Sequence, residues 1–299
     1  MISVIIPVYK NISLFLANLK NNLKFLEGCE IIVVNDDSEK SIKKEIKQIK
    51  TKNIFLIENK KNLGFGQSVN IGVKKAKGDF ILLLNSDTLL KDRSYLYALD
   101  YFKNNPRLFA VSFAQKEKNS KIVGKNIIYF KDGLFHHQKA KDLIFGRNAW
   151  AEGGACLIDK KKLDFLGGFD PIYSPFYWED VDLSYRAWKA GFEVLFEPKI
   201  LVEHHHQSTI AKYFSSKEIQ SIAFRNQLIF TLKNISDLNL YFQFFLFFFK
   251  RFFQFLIVLD LVNILAIFDF FKKTPMILKK KIIQQKIYKI KDREVLAHF

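Results

Sequence analysis

The sequence predicts an α/β protein with a mostly parallel sheet and helices on both faces, followed by a helical appendage that is apolar and basic. Three observations lead to this prediction. Short apolar runs and helical patterns alternate over the first 90 residues, two of the runs end in polar clusters, and beyond residue 238 the composition shifts to Phe, Leu and Ile. Such alternation is typical of βαβ units and a parallel sheet. The chain has 299 residues, enough for one large domain and an appendage.

Each strand is predicted from a short apolar run bounded by turn residues, and each helix from apolar side chains spaced three or four apart. Continuous apolar runs are typical of strands that are buried on both faces. The predicted strands are 2–9, 30–34, 53–58, 80–84, 108–114, 125–130 and 192–202, and the glycine pair in 151–159 leads into a further strand. The predicted helices are 12–26, 39–50, 65–77, 94–104 and 180–191. This order places a β-α-β-α-β-α-β unit at the start of the chain.

Polar clusters follow two of these strands. The strand at 80–84 runs into Asn85, Ser86 and Asp87, which offer an amide oxygen, a hydroxyl and a carboxylate, and the strand at 30–34 runs into the polar stretch 35–38. Oxygen ligands of this kind suit Mg²⁺ or Mn²⁺. The same residue types also form ordinary turns. Because the carboxyl ends of parallel strands carry the ligand sites of open sheets, the two clusters together favour a nucleotide site.

Two further stretches carry candidate chemistry. The loop 59–66 brings two glycines to the start of a helix, a position that suits anions, although a simple glycine turn would read the same way. Residues 177–186 begin a helix with three acids in four positions, more than capping alone requires. His136 and His137 lie in a Lys-rich stretch, where no partner spacing indicates a metal site.

Together these motifs resemble the inverting glycosyltransferases of family two, which have the Rossmann-like GT-A fold, and most of all their bacterial rhamnosyltransferase-like members. The resemblance covers about residues 2–235. The matching motifs, in the family's order, are Ile-Ile-Pro-Val-Tyr (5–9), Val-Val-Asn-Asp-Asp-Ser (33–38), Asn-Leu-Gly-Phe-Gly with Asn70 (62–70), Leu-Asn-Ser-Asp-Thr (84–88), Gly-Gly-Ala (153–155), Gly-Gly-Phe-Asp (167–170), Trp-Glu-Asp-Val-Asp-Leu-Ser-Tyr-Arg (178–186) and a terminal His.

The resemblance implies a reaction and a division of the chain. The reaction is metal-dependent transfer, with inversion, of a sugar from a nucleotide-diphosphate sugar to a hydroxyl of a glycan or lipid-linked acceptor in surface polysaccharide synthesis. Mg²⁺ or Mn²⁺ is the implied cofactor. Residues 1–235 would form the catalytic domain, with 1–114 binding the nucleotide-sugar and 115–235 the acceptor. Residues 236–299 would form a tail that associates with membrane or oligomerises.

The resemblance also implies the metal ligands. Asn85-Ser86-Asp87 stands at the Asp-x-Asp motif of the family, so that Asp87 is the firmer ligand and Asn85 a weaker one. His204 matches the metal-binding histidine, with His205 and His206 as alternatives in the register.

The other implied roles follow residue by residue. Asp180 matches the catalytic base, and Asp36 is preferred to Asp37 as the nucleotide-binding acid. The implied nucleotide-sugar contacts are Pro7, Tyr9, Asp36, Gly64, Phe65, Asn70, Asn85 and Ser86. Residues implied on the acceptor or diphosphate side are Gly154, Trp178, Glu179 and Arg186. Arg186 has an alternative role, pairing with Asp182 on its own helix.

The tail predicts a membrane partner. Residues 240–271 are mostly Phe, Leu and Ile, but Lys250, Arg251, Asp260 and Asp269 interrupt them. Interfacial helices therefore fit better than a spanning one. The basic stretch 272–293 suits anionic headgroups, which predicts a peripheral protein at the inner face of the cell membrane. The alternatives are a buried helical appendage and a homo-oligomer interface.

Composition limits the remaining possibilities. Two cysteines without a motif indicate a reducing compartment, and the first residues lack a basic start, so no signal peptide is expected. The net charge of +17 fits an anionic partner, but no nucleic-acid module is present, so nucleic acid is not expected. A nucleotidyltransferase would need a Gly-rich basic loop near the N-terminus, which is missing. A non-catalytic scaffold derived from a transferase would not need Asp87, Asp180 and His204.

Overall fold

The computed structural model describes residues 1–49, 51–204 and 212–299. Within these residues, ten strands form one sheet and two form a separate hairpin. The strands are β1 (Ile2–Val8), β2 (Glu30–Asn35), β3 (Ile54–Glu58), β4 (Phe80–Leu84), β5 (Thr88–Leu90), β6 (Leu108–Lys116), β7 (Ile122–Val123), β8 (Asn126–Lys131), β9 (Leu134–Lys139), β10 (Gly146–Arg147), β11 (Ala155–Asp159) and β12 (Glu193–His204).

Helices cover the sheet and make up the C-terminal part. They are α1 (Ile12–Leu23), α2 (Lys43–Gln48), α3 (Phe65–Lys75), α4 (Ala98–Asn104), α5 (Lys160–Phe165), α6 (Glu179–Lys189), α7 (Ser216–Asn234), α8 (Leu238–Ile257), α9 (Leu261–Gln285) and α10 (Asp292–Leu296). Short 3₁₀ turns cover Ser94–Tyr97 and Pro171–Tyr173.

The order of strands along the sheet is β10-β12-β6-β11-β4-β1-β2-β3. The half formed by β4, β1, β2 and β3 is wholly parallel, with β1 at its centre. β6 and β12 also run parallel to each other, whereas β11 lies antiparallel between β4 and β6. The predicted fold class is therefore confirmed, with β11 as the strand that reverses direction inside the sheet.

Both faces of the sheet are buried because side chains alternate along each strand. On β1, Val4 and Ile6 pack into a cluster with α1, whereas Ile5 points to the other face and packs with Val69 and Val73 of α3. The continuous apolar run of β1 therefore fills two cores at once, as expected for a central strand of a parallel sheet.

The C-terminal helices continue one of these two cores. Phe244 and Phe248 of α8, Ile267 of α9 and Val295 of α10 belong to the same buried cluster as Ile5. The boundary predicted at residue 235 falls between α7 and α8, and the packing runs across it.

α8 is nevertheless mostly exposed. Within the described residues it is the one helix long and apolar enough to cross a membrane, judged by length and composition, with a mean hydropathy of 1.4 and 11% of the window buried. Phe244 and Phe248 are its buried residues.

Candidate active site

A cavity of about 870 Å³ opens at the carboxyl ends of β1, β2 and β4. The two polar clusters that follow β2 and β4 both reach it, as the parallel sheet requires. The predicted site residues that line it are Pro7, Tyr9, Asp36, Gly64, Phe65, Asn85, Ser86, Asp87, Gly154, Trp178, Glu179, Asp180 and His204. Asn70 and Arg186 lie outside it.

Asp36 anchors the glycine loop at one end of the cavity. Its carboxylate accepts hydrogen bonds from the backbone N–H of Leu63 at 2.9 Å and of Gly64 at 2.8 Å, and from the side-chain amide of Asn59 at 2.8 Å. Gly64 has φ 81°, and a Cβ there would come within 3.0 Å of the Pro175 carbonyl oxygen. The loop can therefore keep this close approach only with glycine.

Asp87 and His204 meet where β12 pairs with β5. Nε2 of His204 lies 3.0 Å from Oδ1 of Asp87, and Nδ1 lies 2.6 Å from Oε1 of Gln115. The amide of Gln115 is oriented by Glu152, to which its nitrogen donates at 2.6 Å. Oε1 can only accept, so Nδ1 of His204 carries the proton and donates. Nε2 is then the ring nitrogen that faces the Asp87 carboxylate, and either a proton or a metal cation can lie between the two atoms.

This pair suits a divalent metal ion. Adjacent ligands in an octahedral shell at about 2.1 Å from Mg²⁺ lie about 3 Å apart, close to the spacing of the two acceptors here. Gln115, which accepts the hydrogen bond from Nδ1, is the kind of outer partner that fixes metal-binding imidazoles. Gly154 makes room, because a Cβ there would lie 2.9 Å from Cε1 of His204.

The protein offers few ligands of its own. Among residues 1–49, 51–204 and 212–299, no group of three or more His, Cys, Asp or Glu could hold a metal. Asp87, His204 and the amide of Asn85 thus form a partial set, and Mg²⁺ commonly completes such a set with phosphate oxygens and water. His205 and His206, the alternatives in the sequence register, lie outside the described residues.

Two carboxyl groups enter the cavity at the start of α6. Asp180 accepts from the Val181 N–H at 2.8 Å and from the Gly153 N–H at 3.5 Å. Burial, and then the charge of Glu152, raise the pKa of Asp180 to about 6. Burial, and then the charge of Asp180, raise the pKa of Glu179 to about 8. Raised carboxyl pKa values in a cleft are typical of groups that exchange protons near neutral pH.

Glu179 has a further distinguishing feature. Its Oε2 is buried and has no hydrogen-bond partner among the described residues. Such an atom is costly to bury unless it carries a proton or meets a ligand.

A strained turn leads into this helix. Tyr177 and Trp178 have φ values of 72° and 76°, a region that bulky residues rarely adopt. Asn226 of α7 stabilises the turn by donating to the carbonyls of Tyr173 at 2.7 Å, Phe176 at 2.9 Å and Tyr177 at 3.0 Å. Backbone strain that the surroundings enforce is common at functional sites, and here it directs Trp178 and the two acids into the cavity.

Two predicted site residues have structural contacts instead. Asn70 pairs with the backbone of Phe169, accepting from its N–H at 2.9 Å and donating to its carbonyl at 2.7 Å. Arg186 is 1% exposed and donates to Asp182 at 2.7 Å and to the carbonyls of Leu166 and Gly168. The prediction that Arg186 lies on the acceptor or diphosphate side finds no support in these contacts, and Arg186 does not line the cavity. The alternative pairing with Asp182 describes it.

The cavity wall contains an acid and a cation that were not predicted from the sequence. Glu152 pairs with Lys139 of β9. Burial alone would raise the pKa of Glu152, but the charge of Lys139 and its hydrogen bond hold it below the ordinary value. His137 of the same strand also lines the cavity, and burial lowers its pKa to about 4. Glu152 stands directly before the glycine pair at 153–154, which was the one sequence signal for its place in the cavity wall.

An aromatic wall was also missed, because its members come from separate parts of the chain. Large apolar rings suit the carbon faces of sugars and nucleobases, with few polar groups setting orientation. The wall consists of Trp150, Phe176, Tyr177 and Phe214, beside the predicted Phe65 and Trp178.

Comparison with known proteins gives a family. The family profile described as "Glycosyl transferase family 2" matches residues 3–166, more than half of the chain. This stretch includes the glycine loop, the cluster after β4 and the glycine pair, but ends before α6.

Curated relatives include synthases of a surface polysaccharide. The "Poly-beta-1,6-N-acetyl-D-glucosamine synthase" of Staphylococcus aureus (strain COL) is 28% identical over 174 residues, which are 58% of this chain and 42% of the relative. The synthase of the same name from Staphylococcus epidermidis is 27% identical over 174 residues, with the same shares. The chain thus spans less than half the length of the curated relatives it matches.

Solved structures share the fold. S. aureus TarS 1-349 in complex with UDP-GlcNAc is 16% identical, with a TM-score of 0.59 over 99% of this chain and 90% of that one. GalNAc-T7 with UDP, GalNAc and Mn²⁺ is 17% identical, with a TM-score of 0.60 over 77% and 47%. At these identities the likeness concerns the fold, which is the GT-A arrangement.

Proposed function

Since the chain belongs to glycosyl transferase family 2, we propose that it moves a sugar from a nucleotide-diphosphate sugar to a hydroxyl of a glycan or lipid-linked acceptor, with inversion. One observation carries this proposal. A single cavity brings together Asp36, the Asp87–His204 pair and Asp180, so that a nucleotide anchor, a metal-type site and a proton acceptor lie within reach of one substrate.

The nucleotide end would lie against Pro7, Tyr9 and the loop held by Asp36. Gly64 lets the chain pass close to a bound molecule, and Phe65 borders the same space. The Asp36 carboxylate accepts hydrogen bonds from the backbone N–H groups of Leu63 and Gly64. Its proposed role therefore includes holding the loop in shape as well as contacting the base or ribose.

Asp87 and His204, assisted by Asn85, would hold Mg²⁺ or Mn²⁺. When bound, such an ion neutralises the charge that develops on a diphosphate leaving group. The proton on Nδ1, which Gln115 accepts, keeps Nε2 of His204 directed toward Asp87.

Asp180 would take the proton of the acceptor hydroxyl as its oxygen attacks the anomeric carbon from the face opposite the leaving group. Its pKa of about 6 leaves it ionised at neutral pH yet basic enough to accept a proton. Glu179 would hold its own proton under the same conditions and could donate a hydrogen bond to a sugar oxygen.

The relatives support surface polysaccharide synthesis as the setting. Curated relatives are named as polysaccharide synthases, and TarS is solved with UDP-GlcNAc. These names do not single out the rhamnosyltransferase-like subgroup, which stays a prediction from the motifs. We place the protein peripherally at the inner face of the cell membrane, where nucleotide-sugars are available.

The decisive experiment combines binding and turnover. Thermal shift with a panel of nucleotide-sugars, each with and without Mn²⁺, should select one nucleotide, because ligands that bind only the folded state raise its apparent stability. Release of the nucleoside diphosphate from the selected donor should then require Asp180 and Asp87. A non-catalytic scaffold would bind without turnover. A nucleotidyltransferase would release no nucleoside diphosphate from the donor and would instead form it from a nucleoside triphosphate and a sugar phosphate, with release of pyrophosphate.

A further inference from the structure

The hairpin formed by α8 and α9 ends in an apolar tip that no part of the described chain covers. Ile257, Val258, Leu259 and Leu261 are 82%, 62%, 75% and 66% exposed. Four aliphatic side chains so exposed at one turn are unusual for a soluble surface, where apolar residues are normally scattered.

The turn itself is built against local preference. Leu259 has φ 53°, a conformation that Gly or Asn would adopt with less strain. Leu259 is 75% exposed, so its side chain gains little from packing against the protein.

Exposed apolar side chains extend from the tip along both helices. On α8 they recur every three to four residues, at Phe242, Leu246, Phe249 and Phe253, away from the buried face. On α9, Leu261, Leu265 and Phe268 form the corresponding stripe. The stripes converge on the turn.

Basic residues begin at a defined distance from the tip. Lys250 and Arg251 of α8 are exposed and lie six to seven residues before Ile257, which at 1.5 Å per residue is about 10 Å. On α9 the apolar stripe is followed on the same face by Lys272, Lys279 and Lys286, the first about 16 Å from Leu261. We call Lys250, Arg251 and Lys272 the basic collar. An apolar tip with such a collar matches a lipid leaflet with anionic headgroups.

Two lysines of the dense basic run at 279–281 are not part of this collar. Lys280 pairs with Asp170 at 2.9 Å, and Lys281 donates to the carbonyls of Leu232 and Ile235. These two cations hold α9 against the protein and are not available to headgroups.

We propose that the tip of the α8–α9 hairpin inserts about 10 Å into an anionic lipid leaflet as a wedge, with Lys250, Arg251 and Lys272 at the headgroups. The hairpin thereby sets the orientation of the catalytic cavity relative to the membrane.

The cavity lies on the tip side of the molecule. Ala223 lines it, and the next residue, Phe224, packs against Phe255, two residues before the exposed tip. Arg225 connects the cavity wall to the first half of α9, donating to the Ser174 carbonyl and pairing with Asp269 at 2.8 Å. If the proposed function holds, the position of the cavity on the tip side favours a lipid-linked saccharide over a soluble glycan as acceptor.

Vesicle binding of the full chain tests the wedge without any assay of transfer. The double substitution Val258→Lys with Leu259→Lys should lower partitioning onto mixed phosphatidylcholine–phosphatidylglycerol vesicles at least about tenfold, since two aliphatic side chains lose their apolar environment. Leu238→Lys is the matched control. It is 86% exposed at the opposite end of α8, and binding should be unchanged.

Equal losses in the two variants would mean that the hairpin lies flat, and no loss in either would remove the tip from membrane binding. Both results overturn the wedge. The wild-type chain could instead fail to bind vesicles and form dimers that the double substitution dissociates. The tip would then bind a second copy of the chain, which also overturns the wedge.

A second double substitution, Lys250→Gln with Arg251→Gln, should abolish the preference for phosphatidylglycerol over pure phosphatidylcholine, and a retained preference would refute the collar.

The acceptor is tested separately. Transfer to a saccharide on a long lipid carrier in vesicles should fall with vesicle binding in the tip variant, whereas transfer to the same saccharide on a short soluble carrier should not. Equal transfer by both proteins to the vesicle acceptor would contradict the orientation. If the wild-type chain binds vesicles but turns over no nucleotide-sugar, the proposed function fails and the wedge stands.

Discussion

Asp180 and Glu179 are neighbours in sequence, yet the structure gives them different protonation behaviour. Burial raises the pKa of both carboxyl groups. Among the described residues, Oε2 of Glu179 has no hydrogen-bond partner, whereas the Asp180 carboxylate accepts hydrogen bonds from two backbone N–H groups. The pKa of Glu179 is raised to about 8 and that of Asp180 to about 6. At neutral pH the pair therefore offers one base and one acid at the same end of the cavity.

Replacing the base should remove most turnover. For Asp180→Asn we expect folding close to wild type and a loss of roughly 10²- to 10⁴-fold in kcat, the usual range for general acid–base catalysis. Wild-type activity should rise as pH increases through about 6, because only the ionised carboxylate accepts a proton. The variant should lack this limb, and near-normal transfer by it would exclude Asp180 as the base.

Glu179 should make stability depend on pH in a defined direction. Its pKa is raised from 4.5 to about 8, so between these values the folded state holds a proton that the unfolded chain releases. Stability is then greatest at low pH and is lost as pH rises through about 8. Denaturant unfolding of wild type and Glu179→Gln should show the variant gaining relative stability from pH 5 to pH 8. A constant difference across that window would contradict the raised pKa.

The proposed metal ligands are testable by binding alone. Asp87→Asn should abolish the extra thermal stabilisation that Mn²⁺ adds to a bound nucleoside diphosphate, because the carboxylate facing His204 is lost. Asp37→Asn is the control, since Asp37 also follows a strand but pairs with Lys10 at 3.1 Å away from the cavity. An unchanged Mn²⁺ effect in Asp87→Asn would remove it from the ligand set.

The motifs predicted residues that the structure brings together in one cavity, and their individual roles stay predictions. Asp36, Asp87, Asp180 and His204 come from four distant segments, and the strand order brings them to one edge. Arg186 shows the limit, because an acid four residues earlier on a helix is compatible with both an ion pair and a substrate contact, and burial alone decides between them. The cation at Lys139 could not be found, since its strand carries no motif.

At the scale of elements, α6 depends on a helix far along the chain. Lys189 near its end and Asp292 of α10 are fully buried and pair at 2.8 Å. The same carboxylate accepts from Tyr185 and from the backbone N–H groups of Ser236 and Asp237. One aspartate therefore joins the catalytic helix, the α7–α8 connection and α10.

Removing that carboxylate should destabilise the protein strongly. We expect Asp292→Ala to lower the free energy of unfolding by about 3–5 kcal/mol, because it leaves the buried ammonium of Lys189 without a partner. Glu294→Ala on the exposed side of α10 should cost at most about 1 kcal/mol. Thermal and denaturant unfolding measure both, and equal effects would mean that the pair is not needed.

Element boundaries were predicted less well than element order. The helix predicted over 39–50 is reduced to Lys43–Gln48, because its Lys-rich turns have little apolar surface to bury. β9 was missed because its outer half is polar and exposed, and β11 was expected as a strand without its direction. Direction depends on which strands flank it, a tertiary fact that local pattern does not contain.

The C-terminal helices complete the core of the α/β part of the chain. Asp182 and Lys233, both fully buried, pair at 2.8 Å, and Lys233 pairs with Asp170, which also meets Lys280 of α9. The composition shift near residue 238 predicted an appendage, but composition cannot reveal that its inner face shares a core with the sheet.

Removal of the C-terminal helices should therefore unfold the protein, whereas removal of an independent tail would leave the rest folded. A chain ending at Asn234 should be insoluble or unfolded, because Lys189, Lys233 and the apolar face of α7 lose their cover. Circular dichroism and limited proteolysis would register the loss. A soluble truncated chain with a cooperative transition would show that the C-terminal helices are dispensable for folding.

The pairing of Lys189 with Asp292 also affects when the chain can finish folding during its synthesis. The two residues are separated by 103 positions, so during synthesis at about 5–20 residues per second the catalytic helix leaves the ribosome roughly 5–20 s before its counter-charge exists. Throughout that interval the helix cannot settle with its lysine buried, and the nascent chain has no finished cavity. Activity would thus arise late and in one step, after the hairpin that we propose to insert into the membrane has already been made.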